Sequence, residues 1–94
     1  MNAVDLHRDP KLHELKIHPE HFANVKAGRK TAELRLDDRD FRIGDVLLLK
    51  EWKTRAQEFS GREIRKPITH ITRCRMWIPG VEEDWCVLHM GVDK

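Results

Sequence analysis

The sequence predicts a mainly β domain of the α+β type, a small pseudo-barrel of five or six strands with one helix near the N-terminus. Three observations lead to this expectation. The 94-residue chain has room for only one hydrophobic core. Short stretches of alternating apolar and polar residues are typical of strands, and one early stretch carries helix start and stop signals. Closure into a barrel would remove the exposed strand edges of so small a sheet.

The first regular segment is a short strand followed by the helix. Alternation over residues 15–18 predicts a strand with one buried face. Pro19 suits the first helical position, because its missing N–H would stay unpaired there. Phe22 and Val25 form an apolar stripe, and Gly28 tolerates the left-handed conformation that commonly ends a helix. The helix is therefore expected between Pro19 and Gly28.

The rest of the chain reads as strands joined by polar loops. Alternation over residues 31–36 predicts a strand with Ala32, Leu34 and Leu36 towards the core and the polar side chains at 31, 33 and 35 projecting together. Further strands are expected at 46–52, 62–65, 68–74 and 85–90, with a loop at 77–80. The residues expected to share the core are Leu15, Phe22, Val25, Leu34, Leu47, Leu49 and Ile71.

The charge distribution points to an anionic partner. The formal net charge is +2, but residues 25–75 hold 14 Lys and Arg against 8 Asp and Glu. Arginine supplies 10 of the 18 cations, and its planar fork suits phosphates and base edges. The alternative is that these charges solvate the surface and pair with each other.

Composition also limits the cellular setting. The longest apolar run is residues 46–49, far below the roughly 20 residues of a bilayer span. Residues 1–12 read as a polar leader before a folded core at 13–92, all within one domain, 1–94, so we expect a cytoplasmic monomer with no membrane contact. Six histidines without metal-ligand spacing predict no metal site, and we expect no cofactor. The roles of Cys74 and Cys86 stay open.

Residues 28–35, GRKTAELR, carry a family resemblance. They match the pattern GxKxxExR at its four fixed positions, and this pattern resembles the signature of ASCH domains in the PUA-like superfamily. The flanking segments 13–17, 38–41, 43–45 and 49–52 are similar to a small uncharacterised bacterial and phage subgroup. The resemblance extends from His13 to Met90. It implies a PUA-like pseudo-barrel in which the Lys, Glu and Arg of the signature face a nucleic-acid or nucleotide ligand in a cleft beside the helix.

The chemistry of the signature residues fits such a cleft. Lys30 follows the helix end, and Glu33 and Arg35 share one face of the next strand. The two cations could hold a phosphate or a base carbonyl, and Glu33 could accept a hydrogen bond from an exocyclic amine. The alternative is a structural salt bridge. Glu51 falls on an apolar strand face, where a carboxylate needs a partner, so it either lines the cleft or forms an ion pair.

The preferred function is a binding module for RNA or a modified nucleotide. Ligand contacts are expected from Lys30, Glu33, Arg35 and Glu51, contacts to the nucleic-acid backbone from Lys26, Arg29, Arg62, Arg65 and Lys66, and base stacking from Trp77. Trp77 is chosen because the predicted loop places it beside two arginines. A protein-interaction adaptor is a further alternative.

A hydrolase is the other alternative, and it comes from the resemblance. One ASCH branch resembles amidohydrolases that act on acylated cytidine with a Lys, a Thr three residues later and a distant Glu. This sequence keeps the Lys as Lys30 but has Glu33 at the threonine position. Thr31 as nucleophile, or Glu33 as a base, would then have to take over the role of that threonine. We therefore expect binding rather than catalysis.

Overall fold

The structure is a computed structural model that describes residues 9–79 and 81–92, without the side chains of residues 76–78, 81 and 82. Its elements in chain order are β1 (Leu12–Ile17), α1 (Pro19–Lys26), β2 (Ala32–Leu36), β3 (Val46–Lys53), β4 (Glu58–Ile78) and β5 (Val81–Met90). The predicted mainly β character is confirmed, as is the helix after the first strand. Of the predicted leader, residues 1–8 lie outside the described part, and Leu12 already belongs to β1. The described residues contain no helix with the length and hydropathy that a bilayer span requires.

The five strands form one mixed sheet in the order β1-β3-β4-β5-β2. β1 is parallel to β3, and the other neighbours are antiparallel. β4 is 21 residues long and serves both halves of the sheet, since it pairs with β3 up to Pro67 and with β5 from Ile68. The predicted closed barrel is therefore wrong. β1 and β2 are the two edges of the sheet, and no ladder joins these two described strands.

Two predicted strand boundaries also change. The segments 62–65 and 68–74 belong to one strand, which continues through a register shift between Ile68 and His70. Such a bulge bends a strand and lets it pass from one partner to the next without ending. In the structure the loop begins two residues later than the predicted 77–80, because the backbone of Trp77 still pairs with that of Glu82 in the β4–β5 ladder.

The hydrophobic core lies between α1 and the inner face of the sheet. Phe22 and Val25 of the helix pack against apolar side chains from β1, β3, β4 and β5. The buried cluster consists of Leu15, Ile17, Phe22, Val25, Phe41, Leu47, Leu49, Ile64, Ile68, Cys86, Leu88 and Met90, with Ile71 partly buried against it. Six of the seven predicted core residues therefore lie in or against this cluster.

The exception is Leu34, because β2 turns the opposite face inward from the one predicted. Leu34 is 60% and Leu36 41% exposed, whereas Glu33 is 6% exposed. Alternation shows which residues share a face, but it does not show which face is buried. Here the polar face is buried because Lys30 and Arg35 supply the ionic partners that the Glu33 carboxylate needs.

A second buried carboxylate joins the start of β1 to the turn before β3. Asp45 is 2% exposed and accepts hydrogen bonds from the main-chain N–H groups of Lys11 (3.0 Å) and Arg42 (3.1 Å). The Nε2 atom of the buried His13 lies 2.8 Å from Oδ2 of Asp45. The His13 ring also packs against Phe41, with centroids 4.7 Å apart. This network fixes the position of the edge strand β1.

Candidate functional site

A cleft lies between the two edge strands of the sheet. The sheet curls until the open edges of β1 and β2 face each other across a space of about 530 Å³. This volume is typical of a site for a small molecule. Its apolar lining consists of Leu15, Ile17, Leu34, Leu36, Phe41 and Trp85.

Two arginines bridge the gap between these edges. In a parallel ladder, alternate residues direct both main-chain groups to the partner strand, so the residues between them face the other side. In β1 these are Glu14 and Lys16, whose main-chain groups face the cleft. Nη2 of Arg35 donates to the carbonyl of Lys16 (2.7 Å), and Nη1 of Arg39 donates to that of Glu14 (2.6 Å). Guanidinium groups therefore satisfy edge carbonyls that a neighbouring strand would satisfy in a closed barrel.

The signature residues form one ionic cluster at this seam. Nζ of Lys30 lies 3.2 Å from Oε1 of Glu33, and Nη2 of Arg35 lies 3.0 Å from Oε2. Nε of Arg35 donates to the same Oε2 at 3.0 Å. The Glu33 side chain is 8% exposed, against 27% for Lys30 and 28% for Arg35. The carboxylate is thus buried beneath two cations that reach the solvent.

The helix end places Lys30 at the cluster. Gly28 has a φ of 79°, in the left-handed region that favours glycine. The chain then turns back, and the N–H groups of Arg29 and Lys30 both donate to the carbonyl of Asn24 at 3.0 Å. These bonds use a carbonyl that the end of the helix leaves unpaired. Lys30 therefore enters the cleft from a defined backbone position.

The cleft has an excess of positive charge. Its charged lining consists of Lys30, Arg35 and Arg39 against Glu33 and Asp38, together with His18 and His21. Lys16 also lines the cleft, but its ammonium lies over the Trp52 ring. In the described part of the chain, Glu33 is the one ionic partner of the Lys30 ammonium, and Nη1 of Arg35 takes part in no hydrogen bond. Both cations therefore retain N–H donors for a ligand.

Other predicted site residues lie elsewhere. Glu51 is buried, but it is outside the cleft lining and lies 3.7 Å from Nη1 of Arg62. Arg62 also covers the ring of Phe22 at 4.7 Å from its centroid. The structure thus places Glu51 in an ion pair, one of the two possibilities that the sequence left open. Thr31 is exposed and outside the cleft lining, and its carbonyl accepts a hydrogen bond from the N–H of Met90.

The residues predicted to contact a nucleic-acid backbone do not all lie on one face of the sheet. Lys26 and Arg29 are exposed at the end of α1, where Arg29 donates to the side chain of Asn24. On β4, Arg65 is exposed opposite Leu48, and Lys66 is half-buried opposite Leu47. Alternation places Arg65 on the outer face of the sheet and Arg62 and Lys66 towards the inner face. The side chain of Trp77, the predicted stacking residue, lies outside the described residues.

The described residues contain no group of three or more His, Cys, Asp and Glu side chains that could hold a metal ion. Both cysteines are free, Cys74 exposed and Cys86 buried. Burial, with a smaller contribution from the negative charge of Asp37, raises the pKa of the Cys86 thiol to about 11. Cys86 is therefore a protonated core residue at neutral pH.

Sequence reasoning missed several groups that define the site. Arg39, His18 and His21 line the cleft without belonging to the signature. His18 is held by Oγ1 of Thr54, 3.2 Å from its Nδ1, across 36 positions of sequence. For Arg39, the available signals were its place in a charged loop just after β2 and in the flanking segment 38–41 of the resemblance. Long-range contacts of this kind leave no local pattern in a sequence.

Comparison with known proteins is consistent with a defined domain over these elements. A family model described as "Domain of unknown function (DUF3850)" matches residues 12–90, from the first residue of β1 to the last of β5. The chain belongs to this family. The DUF3850 domain is also 39% identical over 79 residues to the "Uncharacterized 12.9 kDa protein in GpA 3'region" of Escherichia phage P2, covering 84% of this chain and 67% of that relative. Neither match bears on the ASCH resemblance, which stays a prediction.

Proposed function

We propose that the cleft binds a nucleotide, either free or as one unit of an RNA strand. The observation that carries this proposal is the Lys30–Glu33–Arg35 cluster, which lies in an open seam rather than in a closed core. A purely structural ion pair has no need of two solvent-reaching cations with unused donors. The cleft volume of about 530 Å³ accommodates a ligand of this size.

Glu33 acts as a positioning residue in this proposal. Each of its oxygens already accepts from a cation, so the carboxylate fixes the spacing of Lys30 and Arg35 before the ligand arrives. Such preorganisation lowers the entropy cost of binding. This role replaces the direct contact to an exocyclic amine that the sequence suggested.

The anionic part of the ligand lies against the cations of β2 and the loop after it. Arg35 offers its free Nη1, and Arg39 adds a second guanidinium on the same side of the cleft. Charge-assisted bonds from arginine to phosphate are among the stronger hydrogen bonds in proteins. The apolar side chains that line the same cleft from both edges suit the faces of a base or sugar.

The hydrolase alternative has weaker support. Thr31 is exposed outside the cleft lining, and Glu33 would have to release an ion pair to act as a base. Hydrolysis of an acylated nucleoside is therefore an outcome for the test rather than a second proposal. The adaptor alternative is another such outcome.

Isothermal titration of the four nucleoside monophosphates, the matching nucleosides and inorganic phosphate tests the proposal. We expect at least one monophosphate to bind more tightly than its nucleoside. Arg35→Lys keeps the charge but loses the planar fork, and Arg39→Ala removes one guanidinium. Each should weaken binding by about 10-fold, because a hydrogen bond to a charged group contributes about 1.5–3 kcal/mol. Arg65→Ala is the matched control, since Arg65 is exposed outside the cleft lining.

Two results would contradict the proposal. The first is the absence of monophosphate binding by a folded wild-type protein. The second is equal weakening by Arg65→Ala and Arg39→Ala, which would indicate nonspecific charge attraction. Chromatography of acylated cytidine after incubation with the protein gives the separate answer on catalysis, and product formation abolished by Lys30→Ala would favour the hydrolase.

A further inference from the structure

A cluster of aromatic rings and lysines lies on the outer face of the sheet, opposite the core. We call Lys16, Lys50, Trp52 and Phe59 the aromatic–lysine surface. The residues from β1 and β3 alternate with the buried Ile17, Leu49 and Glu51. Trp52 and Phe59 face each other across the β3–β4 ladder, with ring centroids 4.9 Å apart and planes at 74°. Phe59 is 42% exposed.

The lysines of this surface cover the rings instead of pairing with carboxylates. Nζ of Lys16 lies 4.0 Å from the Trp52 ring centroid, and Nζ of Lys50 lies 4.5 Å from that of Phe59. Glu63 is directly opposite Lys50 in the ladder, yet neither ammonium is in an ion pair within residues 9–79 and 81–92. The positive charge here is therefore available to an anionic partner.

We propose that this surface stacks the bases of single-stranded nucleic acid and that the strand continues from it into the cleft. The inference rests on the proposed function, and it names the ligand as a polymer rather than a free mononucleotide. Aromatic rings accept any base by its π-face, and neighbouring cations hold the backbone.

The surface and the cleft share a strand. The main-chain carbonyl of Lys16 accepts from Arg35 in the cleft, while its ammonium lies over Trp52 on the outer face. His18, in the cleft lining, contacts Thr54 in the turn that follows Trp52. A strand bound at Arg35 therefore reaches Trp52 by passing over a single edge of the sheet.

The lysines occupy the ring faces that the bases would take. An exposed cation–π contact is worth less than the stacking of a base on an aromatic side chain, so a base can displace the ammonium. The flexible lysine then moves to the adjacent phosphate, and neither group is left without a partner. An apolar protein segment would instead leave both ammonium groups uncompensated, and an acidic peptide would leave the rings unused.

Fluorescence anisotropy with a labelled 12-nucleotide oligouridylate, beside titration with uridine monophosphate, tests the inference. We expect the oligonucleotide to bind at least about 10-fold more tightly than the monophosphate. Phe59→Ser should weaken oligonucleotide binding by about 10-fold and leave monophosphate binding unchanged. Lys50→Gln should weaken it less and reduce the salt slope by about 0.7, because one fewer phosphate is neutralised.

The matched control is Leu12→Ser. Leu12 is 47% exposed on β1, similar to Phe59, but it is at the other end of that strand from Lys16 and outside the cleft lining. It should leave both affinities unchanged. Urea midpoints of all variants show whether they fold. If Phe59→Ser does not fold, the effect of Lys50→Gln on oligonucleotide binding tests the inference instead.

The outcomes separate the two proposals. If the protein binds the monophosphate and binds the oligonucleotide no more tightly, the proposed stacking surface is contradicted and the proposed cleft is not. Oligonucleotide binding that depends on Phe59 but not on Arg35 would support the surface and contradict the cleft. A third outcome would overturn the inference in favour of a lipid surface. In that case the wild-type protein binds no oligonucleotide but cosediments with phosphatidylserine vesicles, and Phe59→Ser abolishes this cosedimentation.

Discussion

Asp45 and Glu33 are two buried carboxylates at different places in the same sheet, and their partners differ in kind. Asp45 accepts from two main-chain N–H groups and contacts the buried His13. Glu33 pairs with two side-chain cations, each more than a quarter exposed. Main-chain donors and a buried ring are fixed by the fold, whereas lysine and arginine side chains can turn towards a ligand.

This difference separates a structural role from a binding role. The partners of Asp45 tie residues 11, 13 and 42 to the start of β3, so the network connects segments that are distant in sequence. The two ion pairs of Glu33 are formed within three residues of it, so the carboxylate itself connects no distant elements. Burial of a carboxylate therefore does not by itself indicate what the group does; the nature of its partners does.

The largest expected effect is on stability at the first site. Asp45→Ala leaves two N–H groups and His13 without their buried acceptor, so the free energy of unfolding should fall by about 3–5 kcal/mol. Urea denaturation measures this loss. Asp38→Ala is the control, because its carboxylate is 64% exposed and should change stability by less than about 0.5 kcal/mol. Equal losses of unfolding free energy in the two variants would contradict the structural role of Asp45.

The next effect should appear in binding at the second site. Glu33→Gln keeps the size of the side chain but releases Lys30 and Arg35 from their fixed spacing. We expect about 10-fold weaker nucleoside monophosphate binding through lost preorganisation, and a stability loss of only about 1–2 kcal/mol. Titration calorimetry and urea denaturation on the same sample separate the two quantities. A loss of stability as large as that of Asp45→Ala, with binding retained, would reverse the comparison.

The smallest effect concerns the two cysteines, which extend the comparison from carboxylates to thiols. Cys74 is exposed, and burial raises the pKa of Cys86 to about 11. At pH 8 we expect a disulfide reagent to label Cys74 in the folded protein and both thiols in urea. Because the pKa of Cys86 is raised on folding from 9.0, its contribution to stability is present below pH 9 and is lost as the pH rises to about 11. Rapid labelling of Cys86 in the native state would contradict this assignment.

Local patterns in the sequence were enough to predict the elements around the cluster. Pro19 and Gly28 bound the helix, because a proline suits a helix start and a glycine suits the left-handed turn after its end. The spacing of Lys30, Glu33 and Arg35 predicted their proximity, since residues two apart on a strand share a face. Core positions such as Leu15, Phe22 and Leu49 followed from the same periodicities.

The sequence by itself therefore determined the strands, the helix and the presence of an ionic cluster, all of which depend on residues close together in the chain. Tertiary structure alone decided three other features. It turned Glu33 inward and Leu34 outward, it left the sheet open with Arg35 and Arg39 across the seam, and it joined His13 to Asp45. Each depends on contacts between residues 19 to 32 positions apart, or on which face of a strand meets the core. Alternation is the same for either face, so the partners available in the folded chain decide which one is buried.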